Sequence, residues 1–145
     1  MSSPPKLESI VDLFAGAPRE LCLEALLEYS RKLPPLPDRL AGQRDAMERV
    51  IECQSPFFLL SELDEDGRVN LWFDVPLEAP TTRGFAGILH SGLSGATVEE
   101  ILATPDDFYD RMGLGQVISG LRLRGMSAIL NRLKRQVREL SAAGG

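Results

Sequence analysis

The chain has 145 residues, enough for one globular domain with a continuous core and too few for two ordinary ones. Hydrophobic residues at 43% and charged residues at 26% exclude a disordered or fibrous chain. A formal net charge of -5 repels a nucleic-acid backbone, because affinity for phosphates comes from lysine and arginine displacing counterions.

Met1-Ser2-Ser3-Pro4-Pro5-Lys6 lacks the apolar core of a secretory signal, and no apolar run is long enough to span a bilayer. A soluble, cytoplasmic protein with no membrane or nucleic-acid partner is therefore expected. Glu8 to Phe14 reads as a short amphipathic helix and Ala17 to Lys32 as a longer one, with Pro18 suited to its first turn. Cys22, Leu26, Tyr29 and Leu33 recur at helical spacing and should share a buried stripe. Leu33-Pro34-Pro35-Leu36-Pro37 ends that helix and opens an extended connector over residues 33–42.

Arg49 to Glu52 and Phe57 to Leu63 are compatible with strands, and Asp64-Glu65-Asp66-Gly67 is a turn returning the chain into Arg68 to Phe73. Cys53 to Pro56 then connects the first two strands of a small antiparallel meander. From residue 81 the pattern becomes helical, with Thr81 or Thr82 as cap and Phe85, Ile88 and Leu89 packing inward. Thr97-Val98-Glu99-Glu100 has capping-box spacing, and Thr104-Pro105-Asp106-Asp107 starts a further short helix, with Thr104 as its cap and Pro105 in its first turn, that Gly113 ends. The last helix, Arg122 to Leu140, puts Met126, Ile129, Leu130, Leu133, Val137 and Leu140 on one face. Its basic residues Arg132, Lys134, Arg135 and Arg138 form a solvated face, with Arg122 and Arg124 ahead of the helix body. Residues 141–145 are expected to fray as a tail.

Neither cysteine has a partner at metal-binding spacing, and a chain with this much core needs no disulfide, so both thiols are expected to be free. Cys22 belongs to a helical stripe and reads as core. Cys53 stands on a loop, where a thiolate can attack the outer sulfur of another protein's persulfide; Arg49 favours that thiolate and adjacent Glu52 opposes it. On composition alone, an inert core cysteine and a reactive one fit Cys53 equally well. His90, the single histidine, has no acid or cysteine beside it and reads as an ordinary helix-surface or helix-end side chain. Gly84-Phe85-Ala86-Gly87 and Gly113-Leu114-Gly115 lack the strand-turn-helix setting of a phosphate loop and suit close packing and helix ending.

Taken in order, Glu20-Leu21, Tyr29-Ser30-Arg31-Lys32-Leu33-Pro34, Cys53-Gln54-Ser55, Arg83-Gly84, Thr97 to Leu102, Phe108 to Leu114, Arg122 and Gly125-Met126 resemble the SufE family of sulfur-acceptor proteins in iron-sulfur cluster assembly. The resemblance implies a single α+β domain over residues 1–145, in which about three antiparallel strands are covered by helices, as in the SufE and IscU-type fold. It implies that Cys53 takes persulfide sulfur from a PLP-dependent, SufS-like cysteine desulfurase and passes it to a SufB-type scaffold, stimulating the desulfurase as a relay partner rather than as a stand-alone enzyme. Glu52, Gln54 and Ser55 would shape the acceptor loop, and Arg83 and Arg122 match basic positions of the partner-facing surface. No cofactor is expected on this chain, since the PLP belongs to the partner. The chain departs from the family pattern at Glu52, where glycine is usual, at Phe57-Phe58 in place of Val-Trp, and at Val117 and Gly120 in place of His and Pro. The rival reading is a noncovalent adaptor that regulates a desulfurase without carrying sulfur; a third is a metal- or cluster-binding scaffold.

Overall fold

Proline begins the first helix in a computed structural model that describes residues 3–116 and 118–144. Helix α1 spans Pro5–Ala15, with Pro5 in the first turn where no backbone donor is missed, and buries Leu7, Ile10, Val11 and Phe14 at helical spacing. Helix α2 spans Arg19–Lys32; Pro18 is its N-cap and not part of its first turn. Cys22, Leu26 and Leu33 are buried, and Tyr29 is half-buried with its ring centroid 6.0 Å from that of Phe14. The proline-rich connector is free of helix and strand only over residues 33–37; residues 38–42, expected to be extended, form turns in which the Leu40 and Ala41 amides donate to the Pro37 carbonyl at 2.9 and 3.0 Å, and a short 3-10 turn follows at Arg44–Ala46.

The sheet is a three-stranded antiparallel meander in the order β1 (Glu48–Arg49), β2 (Phe58–Leu63) and β3 (Val69–Asp74). Strand β1 stops at Arg49, three residues short of its expected end, because the Cys53 amide turns back to donate to the Val50 carbonyl at 3.1 Å. The tight return between β2 and β3 uses Gly67 at φ 78°, a left-handed conformation that glycine adopts without strain. The cross-strand pairs Leu59–Phe73, Ser61–Leu71 and Leu63–Val69 share one face, and alternation turns that face to the helices. Because β1 covers so little of β2, a helix side chain completes the exposed edge. Gln136 accepts the Ser61 amide at 2.8 Å and donates to the Leu59 carbonyl at 3.2 Å.

Helix α3 (Pro80–Leu93) is buried along most of its length and packs on α1, α2 and β3. Neither Thr81 nor Thr82 caps it: Pro80 takes the first turn and Ala79 the N-cap. Helix α4 (Val98–Leu102) has the expected capping box, in which Thr97 accepts the Glu100 amide at 3.2 Å and Glu100 accepts the Thr97 amide at 3.1 Å. The Thr104 hydroxyl closes α4 by donating to the Glu100 carbonyl at 3.0 Å, so it does not cap α5 (Phe108–Arg111), whose N-cap is Asp107. Gly113, at φ 76°, ends that segment.

Helix α6 spans Gly120–Gly144, which corrects the expectation at both ends. Arg122 and Arg124 lie inside its first turns, and residues 141–144 continue the helix where fraying was expected, consistent with the strong helix preference of Ala142 and Ala143. Val117 and Gly145 lie outside the described residues. Met126, Ile129, Leu130, Leu133 and Val137 are buried as the spacing predicts. Lys134 is not on a solvated face: its ammonium is buried, donating to the Thr104 carbonyl and to Asp106 at 2.7 Å. One cluster of buried side chains runs from Leu7 to Val137. Among the described residues no helix is long and apolar enough to cross a membrane.

Candidate functional site

The backbone of the acceptor loop is fixed at its feet, and the Cys53 amide at its tip bonds back to the Val50 carbonyl. Val50 and Phe57, both fully buried, bracket it, and the Val50 amide donates to the Phe57 carbonyl at 2.8 Å. Phe57 packs edge-on against Phe73, with ring centroids 5.8 Å apart, while Phe58 faces outward under the Arg44 guanidinium at 4.6 Å. The Phe57-Phe58 pair thus divides into a core anchor and a surface stack. Between these feet, residues 51–56 turn around Cys53, which is half-buried.

Cys53 lies in the wall of a cavity of about 180 Å³ between the loop, the start of α3 and the first turns of α6. The loop contributes Glu52, Gln54 and Ser55; α3 and the residues before it contribute Glu78 to Thr82; α6 contributes Leu121, Arg122, Gly125, Met126 and Ile129. Four of the expected loop residues and Arg122 are therefore together. Gly125 stands at this contact, where a Cβ would lie 3.4 Å from the Cys53 Sγ, an ordinary contact distance.

Arg83 stands apart from this cavity. Expected on a partner-facing surface, its guanidinium is instead turned inward, donating from Nε to the Ser30 carbonyl at 3.0 Å and from Nη1 to the Val75 carbonyl at 2.5 Å. These bonds brace the C-terminal end of α2 and the exit of β3 against α3. Cys22 is buried in the core, its Sγ 3.5 Å from the Phe14 carbonyl oxygen, as its place in the stripe predicts. His90 is half-buried, and burial together with the Lys6 charge holds its pKa below the usual value.

Burial, followed by the Glu52 charge, pushes the Cys53 thiol up to about 11, and Arg132 acts in the opposite direction. Glu52 thus opposes the thiolate as expected. The favouring charge is Arg132; Arg49 instead lies 6.0 Å over the Phe58 ring. Arg132 reaches Glu52 through Nε at 3.0 Å and Nη2 at 3.1 Å, and Glu48 through Nη1 at 2.6 Å. Arg135 and Gln136 also hold Glu48. Burial raises the Glu48 carboxyl, yet the donors Gln136, Arg132 and Arg135 together keep it below the usual carboxylate range. The sequence reading missed this cluster. Its signal is the four-residue spacing of Glu48 and Glu52 opposite a basic helix, which becomes specific only when α6 is known to cross the loop. Among the described residues no group of three or more His, Cys, Asp or Glu side chains stands together to hold a metal.

Residues 8–137 match the SufE family model, described as an Fe-S metabolism associated domain. The chain belongs to the SufE family. It is 51% identical over 138 residues to an uncharacterized SufE-like protein of Mycobacterium tuberculosis, covering 95% of each chain. A solution structure of a hypothetical protein from Thermus thermophilus superposes with a TM-score of 0.86 at 44% identity, covering 97% of this chain and 98% of that one. A cysteine desulfuration protein SufE of Plasmodium falciparum is 26% identical over 135 residues, which are 90% of this chain and 53% of that longer protein. The α+β architecture with its three-stranded meander is thus the SufE fold.

Proposed function

We propose that the chain is a sulfur acceptor and carrier, in which Cys53 takes sulfur from the persulfide of a SufS-like cysteine desulfurase and relays it to a SufB-type iron-sulfur scaffold, stimulating the desulfurase. The observation that carries this reading is the contrast between the two thiols. Cys53 lines a cavity on the loop between β1 and β2, whereas Cys22 is sealed in the core. Membership of the SufE family and the name of the Plasmodium relative support the same chemistry.

In the accepting step the Cys53 thiolate attacks the outer sulfur of the donor persulfide. A new sulfur-sulfur bond forms on Cys53, the donor's sulfur-sulfur bond breaks, and the donor leaves as a thiolate. The transferred sulfur carries its charge or proton with it, and the exchange needs no external oxidant or reductant. Burial in the closed loop pushes the Cys53 thiol up to about 11 and so disfavours the thiolate, and opening of the loop would favour acceptance. That arrangement suppresses reaction before the donor docks. Ile51 and Leu77, each 73% exposed, flank the loop and the start of α3, and Leu121 at 43% lines the cavity. They offer apolar contact to a protein docking over the thiol, with exposed Arg122 supplying charge beside it. The PLP of the reaction belongs to the desulfurase, this chain needs no cofactor of its own, and the cytoplasm is the compartment of the relay.

The test incubates the chain with a cysteine desulfurase and cysteine and locates added mass by thiol-trapping mass spectrometry. One sulfur on Cys53 and none on Cys22 is expected. Cys53→Ser is expected to lose the stimulation of desulfurase turnover; full stimulation by that variant would favour the noncovalent adaptor.

A further inference from the structure

We infer that Arg132 is a positioning residue for the acceptor loop: its two-pronged ion pair with Glu52 latches the loop onto α6 and limits how often Cys53 is exposed. The functional weight of the latch rests on the proposed role of Cys53, but its existence is read on the thiol alone.

Gly125 and Arg132 are seven residues apart on α6, two helical turns along one face. At the first position the loop packs closely, with the Cys53 Sγ 3.4 Å and the Glu52 carbonyl oxygen 3.9 Å from where a Cβ would stand. At the second, Arg132 grips the Glu52 carboxylate with Nε and Nη2 while Nη1 holds Glu48 at 2.6 Å. The two carboxylates differ in what else holds them. Glu48 sits in β1 and is also held by Arg135 and Gln136, so its place survives without Arg132. Among the described residues, Arg132 is the hydrogen-bond partner of the Glu52 side chain, and no other hydrogen bond ties residues 51–56 to α6. Arg132 therefore spans a fixed point and a movable one, one residue before the thiol. A planar guanidinium meeting a carboxylate with two nitrogens fixes direction as well as distance.

The latch and the bare charge of Arg132 act on Cys53 in opposite directions, which makes them separable. As a charge, Arg132 favours the thiolate, so removing it slows alkylation. As a latch it keeps the thiol covered, so removing it speeds alkylation. The experiment measures the rate at which uncharged iodoacetamide modifies Cys53 in the full chain at fixed pH, with no desulfurase present, using mass spectrometry to assign the site. Arg132→Gln and Glu52→Gln are each expected to react roughly two- to fivefold faster than wild type, the range for a partly exposed ion pair. High salt should accelerate the wild type and leave Arg132→Gln unchanged. Arg132→Lys, which restores the charge without the fork, should fall between. Arg135→Gln, which loosens Glu48 but not the loop, should match wild type.

An Arg132→Gln rate equal to or below that of wild type overturns the latch. So does an acceleration shared by Cys22, which would report general loosening. Sulfur capture on Cys53 is measured separately with the desulfurase, so failure of the latch and failure of the carrier reading give different results.

Discussion

Two seams in this molecule use the same pair of residue types for opposite ends. Between α2 and α3, Gly84 and Gly87 let backbones approach and Arg83 ties the Ser30 and Val75 carbonyls together. Between the acceptor loop and α6, Gly125 faces the loop and Arg132 ties Glu48 and Glu52. The difference lies in what each residue meets. At the first seam glycine faces backbone and arginine binds carbonyls in a half-buried setting. At the second, glycine faces a thiol and arginine binds partly exposed carboxylates. Backbone contact that cannot move gives permanence; side-chain and surface-charge contact gives a joint that can open.

The largest effect expected from this contrast is steric. A methyl at Gly87 would overlap the Tyr29 carbonyl oxygen and lie 2.7 Å from its carbonyl carbon, and neither can swing aside without moving α2. Gly87→Ala should cost about 3 kcal/mol in urea unfolding, the upper range for overpacking. At Gly125 the nearest atom lies at ordinary contact distance, and alanine gains roughly 1 kcal/mol of helix preference over glycine. Gly125→Ala should therefore be neutral or stabilising. Equal losses at both positions would break the distinction between the seams.

Next in size is the brace. Arg83→Ala leaves two partly buried carbonyls without their donor and should cost about 2 kcal/mol, seen as a lower Tm. Arg83→Lys should recover only part of it, because an ammonium cannot reproduce the fork. If Arg83 were chiefly a docking residue, its loss would leave Tm unchanged and weaken desulfurase association instead.

The two seams were unequally legible in the sequence. Helical spacing placed Cys22, Leu26 and Leu33 in the core, and the strand-compatible run Arg68 to Phe73 after a turn signal gave a strand, because spacing and turn chemistry are local properties. Asp64 to Gly67 and Thr97 to Glu100 were readable for the same reason: each motif is satisfied within four residues. Thr81, Thr82 and Thr104 misled, since each has a hydroxyl suited to capping, but Pro80 already starts α3 and the Thr104 hydroxyl is used by the end of α4. The inward turn of Arg83 and the Arg132 cluster depend on partners up to 88 residues distant, beyond any local pattern. The loop position of Cys53 was legible; its neighbours across the cavity were not.

The smallest expected effect concerns protons at the second seam. The closed loop holds the Cys53 proton more tightly than an open or unfolded chain, with its pKa raised from an ordinary 9.0 to about 11 by burial first and the Glu52 charge second. A thiol with a raised folded-state pKa contributes stability that is full below the unfolded value and is lost as pH rises through the folded one. Wild type should therefore lose stability relative to Cys53→Ser between about pH 9 and about pH 11, by no more than roughly 1 kcal/mol once solvent exposure and independent opening of the loop are allowed for. Glu52→Gln should move the titration, followed by the pH dependence of alkylation, part of the way toward 9.0, because the larger contribution from burial persists. Subtracting the Cys53→Ser curve removes lysine and tyrosine titration from the comparison. A difference that stays flat across this window would mean that the thiol titrates from an already open loop, and that the second seam is loose before any partner arrives.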